Sequence, residues 1–139
     1  DLINVQDAPS DAIDSDYSEI SVKKIICQRI GNDCFDTSFS NSEIGSIIAT
    51  EVKDKVISAG EKSSLNINNL EAQDSEIVIA SKDSSVVRIK NISSKNNKHI
   101  FAAYNKKPEF NGGIIYTDKK NNNYSILKDK ESKIIIGSY

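Results

Sequence analysis

The sequence predicts an all-β fold, a right-handed parallel β-helix in which short strands wind around an apolar interior. The first observation is a repeat with a period of about 22 residues, in which the third member of each repeated segment is always large and apolar. The second is that apolar residues, mostly Ile and Val, stand two apart in short runs, which is typical of strands. The repeated apolar residues are Ile13, Phe35, Ile57, Ile79 and Phe101. We expect these side chains to line one interior edge.

Each repeat is predicted to form one coil with three short strands, and the chain is long enough for about six coils. In the first complete coil we expect strands near residues 11–15, 19–23 and 25–28. Two further columns support the last of these strands, one apolar (Ile25, Ile47, Leu70, Ile92) and one small (Cys27, Ala49, Ala72, Ser94). The spacing slips by one residue between Phe35 and Leu65, so one turn contains an insertion. Parallel crossovers are usually right-handed, which gives the expected hand.

An antiparallel sandwich is the rival interpretation. It predicts hairpin signals such as Asn-Gly at regular intervals. The chain has one such signal, Asn111-Gly112, and it lies in an irregular segment. The sequence therefore favours the solenoid.

The 139 residues form one predicted domain. Residues 1–10 read as a partial first coil, because Ile3 and Val5 precede Ile25 and Cys27 by one full repeat. A solenoid end is an open sheet edge. We therefore expect this chain to be the C-terminal part of a longer β-helix, or to contact upstream coils or another copy at its N-terminal end. Residues 104–113 and 117–123 are predicted to be irregular loops.

Composition narrows the possible partners. The net charge is −2, from 18 basic and 20 acidic residues, and such a balance does not favour nucleic acid. No apolar run is long enough to span a membrane. Cys27 and Cys34 are separated by a predicted turn, and we favour two unpaired small apolar side chains over a disulfide. Their spacing suggests no metal site and no cofactor.

Stacked carboxylates are the first candidate for chemistry. Asp14 and Asp36 fall in adjacent coils, as do Asp11 and Asp33, and neighbouring strands are about 4.8 Å apart. Such a stack raises a carboxylate pKa or attracts Ca²⁺, and two carboxylates at a set distance can hydrolyse a glycosidic bond. Solvated acids, or acids that bond to turn amides, are the simpler interpretation. His99, the only histidine, is either a general base or a surface residue, and we favour the surface.

The turn after the first strand of each coil is the second candidate. Stacking aligns Gly60, Lys82 and Tyr104 in one column, and Glu61, Asp83 and Asn105 in the next. Charged, amide and aromatic groups along one edge can bind a glycan. The candidate binding residues are Glu61, Lys62, Lys82, Asp83, Tyr104 and Lys106. A tight bend with paired surface charges is the alternative.

Asn69 and Asn91 are one repeat apart in a turn, where stacked amides can form a ladder. With this asparagine pair in a turn, the chain resembles the pectate-lyase-like β-helix superfamily. Lys24 and Ser46 stand at the equivalent places in the two earlier coils, so the ladder does not extend to them. Galacturonan hydrolases of that superfamily carry several aspartates on the β-helix face, which implies a role for Asp14 and Asp36. The calcium-binding aspartates and arginine base of pectate lyases are not recognisable. The two arginines, Arg29 and Arg88, lie on other faces.

The turn segments also resemble a bacterial family of right-handed β-helix repeat proteins found on cell-surface proteins. The resemblance covers most of residues 31–113 and is carried by residues 57–63, 79–85 and 103–110. It implies an extracellular or cell-surface location but assigns no catalytic residue. We therefore expect a non-enzymatic scaffold or carbohydrate-recognition segment of a larger protein. The alternative is a polysaccharide lyase or glycoside hydrolase acting on uronate-containing glycans.

Overall fold

The computed structural model describes residues 1–118 and 125–137. They form a parallel β-solenoid of about six turns with a spacing of about 22 residues, and they contain no helix. The strands are β1 (Leu2–Gln6), β2 (Ile13–Asp16), β3 (Glu19–Ile30), β4 (Phe35–Ser38), β5 (Asn41–Val52), β6 (Lys55–Ala59), β7 (Ser64–Gln73), β8 (Ile77–Lys82), β9 (Val86–Lys95), β10 (His99–Tyr104), β11 (Ile114–Thr117), β12 (Ile126–Lys128) and β13 (Lys133–Ile136). Of the predicted loop 117–123, residues 119–123 lie outside the described residues.

The strands belong to two parallel sheets that face each other across the interior. The odd-numbered strands form a seven-stranded sheet in chain order, and the even-numbered strands form a six-stranded sheet. Each strand pairs with its counterpart one coil later. β1, for example, pairs with β3 so that Leu2 lies beside Lys24, as the repeat predicts.

In the coils that contain β3, β5, β7 and β9, the predicted second and third strands run on as a single strand. In β3 the boundary between them is a corner, because Val22 and Ile25 are both buried although two residues separate them. Residue 23 is left out of the pairing with β5, as is residue 29 near the end of the strand. At this corner a Cβ on Gly45 would stand 2.5 Å from the Lys23 carbonyl oxygen, so the close approach of the two coils requires glycine.

The predicted interior column is confirmed. Ile13, Phe35, Ile57, Ile79 and Phe101 lie directly above one another through the pairings of β2, β4, β6, β8 and β10. The last four are 0% exposed, and Ile13 in the first coil is partly buried. Each large side chain therefore packs mainly on its neighbours in the coils above and below, as the repeat requires.

The prediction that Cys27 and Cys34 stay unpaired is wrong, because the two form a disulfide with Cα atoms 5.9 Å apart. The predicted turn between the two cysteines argued against a disulfide, but this turn brings the two side chains together. Cys27 points inward near the end of β3, the chain turns, and Cys34 points inward just before β4. The bond therefore closes the corner of one coil, and both cysteines are almost completely buried.

Asn69 and Asn91 form a short asparagine ladder. The Asn91 side-chain amide donates to the Asn69 side-chain oxygen at 3.2 Å, and the Asn69 amide donates to the Gly45 carbonyl at 3.4 Å. Both asparagines stand at the outer corner of the long strands.

Candidate functional site

The predicted binding residues gather at the corner where the six-stranded sheet turns into the seven-stranded sheet. Tyr104 pairs with Lys82 across β10 and β8. The backbone N–H of Lys62 donates to the Asp83 carbonyl at 3.0 Å, which stacks consecutive turns. Asp83 and the following Ser84 both have positive φ, 51° and 65°, so the turn is held in the left-handed region.

Two acids of this set hold the connection formed by residues 105–113 against the solenoid. Asp83 is 1% exposed, and its Oδ1 accepts the backbone N–H groups of Lys106 at 2.6 Å and Lys107 at 2.8 Å. The Glu61 carboxylate forms an ion pair with the Lys107 ammonium, and only 9% of the Glu61 side chain is exposed. Both carboxylates are therefore engaged within the protein.

Lys82 is also engaged. It is 9% exposed, and its Nζ donates to the Ser58 Oγ at 2.8 Å. Burial lowers the pKa of Lys82, and the nearby Asp36 carboxylate opposes this. Tyr104 is half-buried, and burial raises the pKa of its hydroxyl. Of the six predicted residues, Lys62 and Lys106 are the exposed ones.

The Glu61–Lys107 pair predicts a pH dependence of stability. Burial opposes ionisation of Glu61, but bonds from Lys107 and Ser38 prevail and lower its pKa to about 2, from 4.5. The carboxylate therefore stabilises the fold above pH 4.5, and this contribution is lost as the pH falls towards 2. We expect Glu61→Gln to lower the free energy of unfolding by about 2 kcal/mol at pH 7 and by much less at about pH 2.5. Urea unfolding at the two pH values measures this.

Glu109→Gln is the matched control, because Glu109 is an exposed carboxylate of the same connection. It should change stability little at either pH. If the Glu61→Gln and Glu109→Gln proteins lose equal stability at both pH values, Glu61 does not hold the connection.

The stacked aspartates divide into two groups. Asp11 Oδ1 accepts the Asp33 backbone N–H at 2.9 Å, and Asp33 Oδ1 accepts the Lys55 N–H at 2.9 Å. These two acids therefore bond to turn amides. Asp14 and Asp36 are directly paired in register on β2 and β4. Burial, followed by the Asp16 and Asp36 carboxylates, raises the pKa of Asp14, which is otherwise exposed.

His99 lies at the start of β10 beside Ile77. Its Nδ1 is 2.9 Å from the Ser125 Oγ, and the residue is partly exposed. The structure thus places His99 in the same six-stranded sheet as Asp14 and Asp36, but four strands away from β2 and in a different register column.

A groove at the opposite corner was missed by the sequence analysis. Two shallow, open depressions of about 720 Å³ and about 640 Å³ meet along the turn between the long strands and the short strands. They share Val52, Lys53 and Asp74. We call this surface the corner groove, and its lining residues are Asp7, Ala8, Pro9, Arg29, Ile30, Gly31, Glu51, Val52, Lys53, Asp74, Ser75, Glu76, Asn96, Asn97 and Lys98.

One rim of the corner groove is a column of polar residues in the left-handed conformation. Their φ angles lie between 53° and 57°, and they are Asp7, Arg29, Glu51, Asp74 and Asn96. They follow one another at the period of the repeat. This polar column was visible in the sequence, but nothing in the sequence showed that the backbone beside it is concave.

The charges of the corner groove are partly paired between coils. Arg29 makes a bidentate bond to the Asp7 carboxylate at 2.5 and 2.8 Å. Lys98 bonds to Glu76 at 2.6 Å. Ile30 and Val52 lie buried beneath the groove, and its accessible apolar surface comes from Ala8 and Pro9 at one end. The groove therefore combines some apolar surface with negatively charged carboxylates and positively charged Lys and Arg side chains. This composition suits a polar ligand with apolar faces.

Within residues 1–118 and 125–137, no group of three or more His, Cys, Asp or Glu side chains is arranged to hold a metal ion. The same residues include no helix with the length and apolarity to cross a bilayer. No protein-family model, curated protein or solved structure matches this chain.

Proposed function

We propose that this chain is a non-catalytic β-solenoid that binds a polysaccharide along the corner groove. The observation that carries the proposal is the groove itself, which continues across successive coils from Asp7 to Lys98. Successive coils are about 4.8 Å apart, so a path over five coils is about 20 Å long. A groove of that length suits an extended polymer better than a compact small molecule.

The chemistry of the lining supports a glycan. Sugar rings have apolar faces and hydroxyl edges, and the groove offers Ala8 and Pro9 beside charged rims. Exposed Glu51 and Lys53 can bond to hydroxyl groups from opposite sides of a ring. Binding rather than catalysis is favoured because Asp11 and Asp33 are occupied by backbone amides.

The proposed location is extracellular or at the cell surface. The Cys27–Cys34 disulfide supports it, because disulfides form and persist in oxidising compartments.

The test is binding of soluble polysaccharides to the wild-type protein, measured by affinity gel electrophoresis and calorimetry. Lys53 lies in both halves of the groove, and Lys53→Ala should weaken binding about tenfold, or about 1.4 kcal/mol. Lys23→Ala is the matched control, because Lys23 is an exposed lysine at a different corner. Equal affinities of the two variants, or no binding by wild type, would contradict the proposal.

A polysaccharide hydrolase is the second candidate, and one observation favours it. The raised pKa of Asp14 beside the Asp36 carboxylate suits a general acid and its partner, in register on neighbouring strands. Incubation of the same polysaccharides with the protein measures this through newly formed reducing ends. Product that disappears in Asp14→Asn would replace the binding proposal by a catalytic one.

A further inference from the structure

An aromatic stack stands at the corner that carries the 105–113 connection. The rings of Tyr17 and Phe39 are parallel to within 3°, with centroids 4.9 Å apart. Phe110 meets Phe39 edge-on at 6.1 Å. The Lys62 ammonium stands 5.9 Å from the centre of the Phe110 ring. These three rings lie outside the apolar core, on the surface of the first coils.

The stack is poorly explained by folding alone. Tyr17 is 77% exposed and Phe39 is 37% exposed, whereas the core is built on the inner face of the same coils. Both residues have positive φ, 50° and 51°, which is unfavourable for a large side chain. In the next coil the stacked turn residue is Lys62, so an aromatic ring is not needed to make this turn. Exposed rings grouped in this way are typical of a binding surface.

The connection adds the third ring. Asp83 and Glu61 fix Lys106 and Lys107, and Phe110 follows in the same connection. The Asn105 side chain donates to the Phe110 carbonyl, which closes the segment on itself. The Phe110 N–H donates to the Lys107 carbonyl, so the acids that anchor Lys107 also fix the position of Phe110 at the stack.

The charges around the stack select among ligands. The outward residues of β2 and β4 beside Tyr17 and Phe39 include the carboxylates Asp14, Asp16 and Asp36. Burial, followed by the Asp16 and Asp36 carboxylates, raises the pKa of Asp14, so another negative charge beside these carboxylates is unfavourable. The Lys62 ammonium stands over Phe110, at the other end of the ring group from Tyr17. A uronate would bring such a charge, whereas an uncharged pyranose would not.

We propose that Tyr17 and Phe39 form a platform for an uncharged pyranose ring, with Phe110 at its side. Phe39 covers one face of the Tyr17 ring, and most of Tyr17 is open to solvent, so a sugar ring can continue the stack. The platform lies at a different corner from the corner groove, so this inference goes beyond the proposed function, and it names neutral rather than uronate-containing glycans as the ligand class.

The experiment is a titration of the full chain with hexasaccharides of β-1,4-linked glucose, β-1,4-linked N-acetylglucosamine and α-1,4-linked galacturonate. Affinity is measured by calorimetry, and the ring signals of Tyr and Phe are followed by NMR. We expect at least one neutral hexasaccharide to bind at least tenfold tighter than the galacturonate. Tyr17→Ala should weaken that binding about tenfold, and Tyr17→Phe, which keeps the ring, should retain it.

The outcomes separate this inference from the proposed function. Binding that is lost in Lys53→Ala and kept in Tyr17→Ala overturns the platform and leaves the corner groove. Binding that is lost in Tyr17→Ala and kept in Lys53→Ala supports the platform and removes the groove. Preference for the galacturonate, or no shift of aromatic signals on binding, also overturns the platform.

Discussion

Replacement of Phe35 by alanine is expected to lower the free energy of unfolding by about 3–5 kcal/mol. Phe35 is 0% exposed and packs in register between Ile13 and Ile57 of the adjacent coils. The substitution removes a large ring from the narrow interior and leaves a cavity. The hydrogen-bonded strands on either side limit how far the surrounding structure can collapse into that cavity. Urea unfolding followed by circular dichroism measures the loss.

Two variants calibrate that result. Phe35→Leu keeps most of the volume and should cost less than half as much. Ile13→Ala changes the same column in the first coil, where the side chain is only partly buried, and should cost about 1–2 kcal/mol. A Phe35→Ala protein whose stability is within about 1 kcal/mol of wild type would contradict the close-packed column.

Removal of the disulfide is expected to have the next largest effect. Cys27 and Cys34 are close in sequence, and closing so short a loop restricts the unfolded chain by about 2.5 kcal/mol. The double variant Cys27→Ala/Cys34→Ala also loses the packing of two buried sulfur atoms. We expect a total loss of about 3 kcal/mol and a fall in Tm of about 10 °C.

Thermal unfolding with and without a phosphine reductant checks this prediction. The wild-type protein should lose most of that stability when reduced, whereas the double variant should be insensitive to the reductant. A wild-type Tm that is the same under both conditions would show that the bond does not stabilise the fold.

The interior could be predicted because each buried column consists of apolar residues that recur at a nearly constant interval in the sequence. Ile57 and Ile79 together indicate the stacking of coils, since each side chain is buried by the other. The boundary between the second and third strands was harder to assign. Hydrogen bonds run past the corner at Lys23, and sequence patterns report which side chains point inward rather than where pairing stops.

The candidate site could be predicted only in part. The repeat showed that Glu61, Lys82 and Asp83 stack at one corner, but the connection that covers them, residues 105–113, belongs to no repeat. Contacts with this connection bury the Asp83 and Glu61 carboxylates, which hold Lys106 and Lys107 in place. The disulfide was misjudged for a related reason, because distance along the chain does not show that a corner folds two inward positions together.

Within the part of the chain that the structure describes, the coils differ in length at their corners. The offset between paired residues of β5 and β7 is one longer than the repeat, yet β6 and β8 return to the regular offset. The link from β8 to β9 is short, whereas β10 and β11 are joined by the much longer connection 105–113. Insertions at a corner thus leave the ladders undisturbed, so evolution or an engineer can graft new recognition loops there without redesigning the interior.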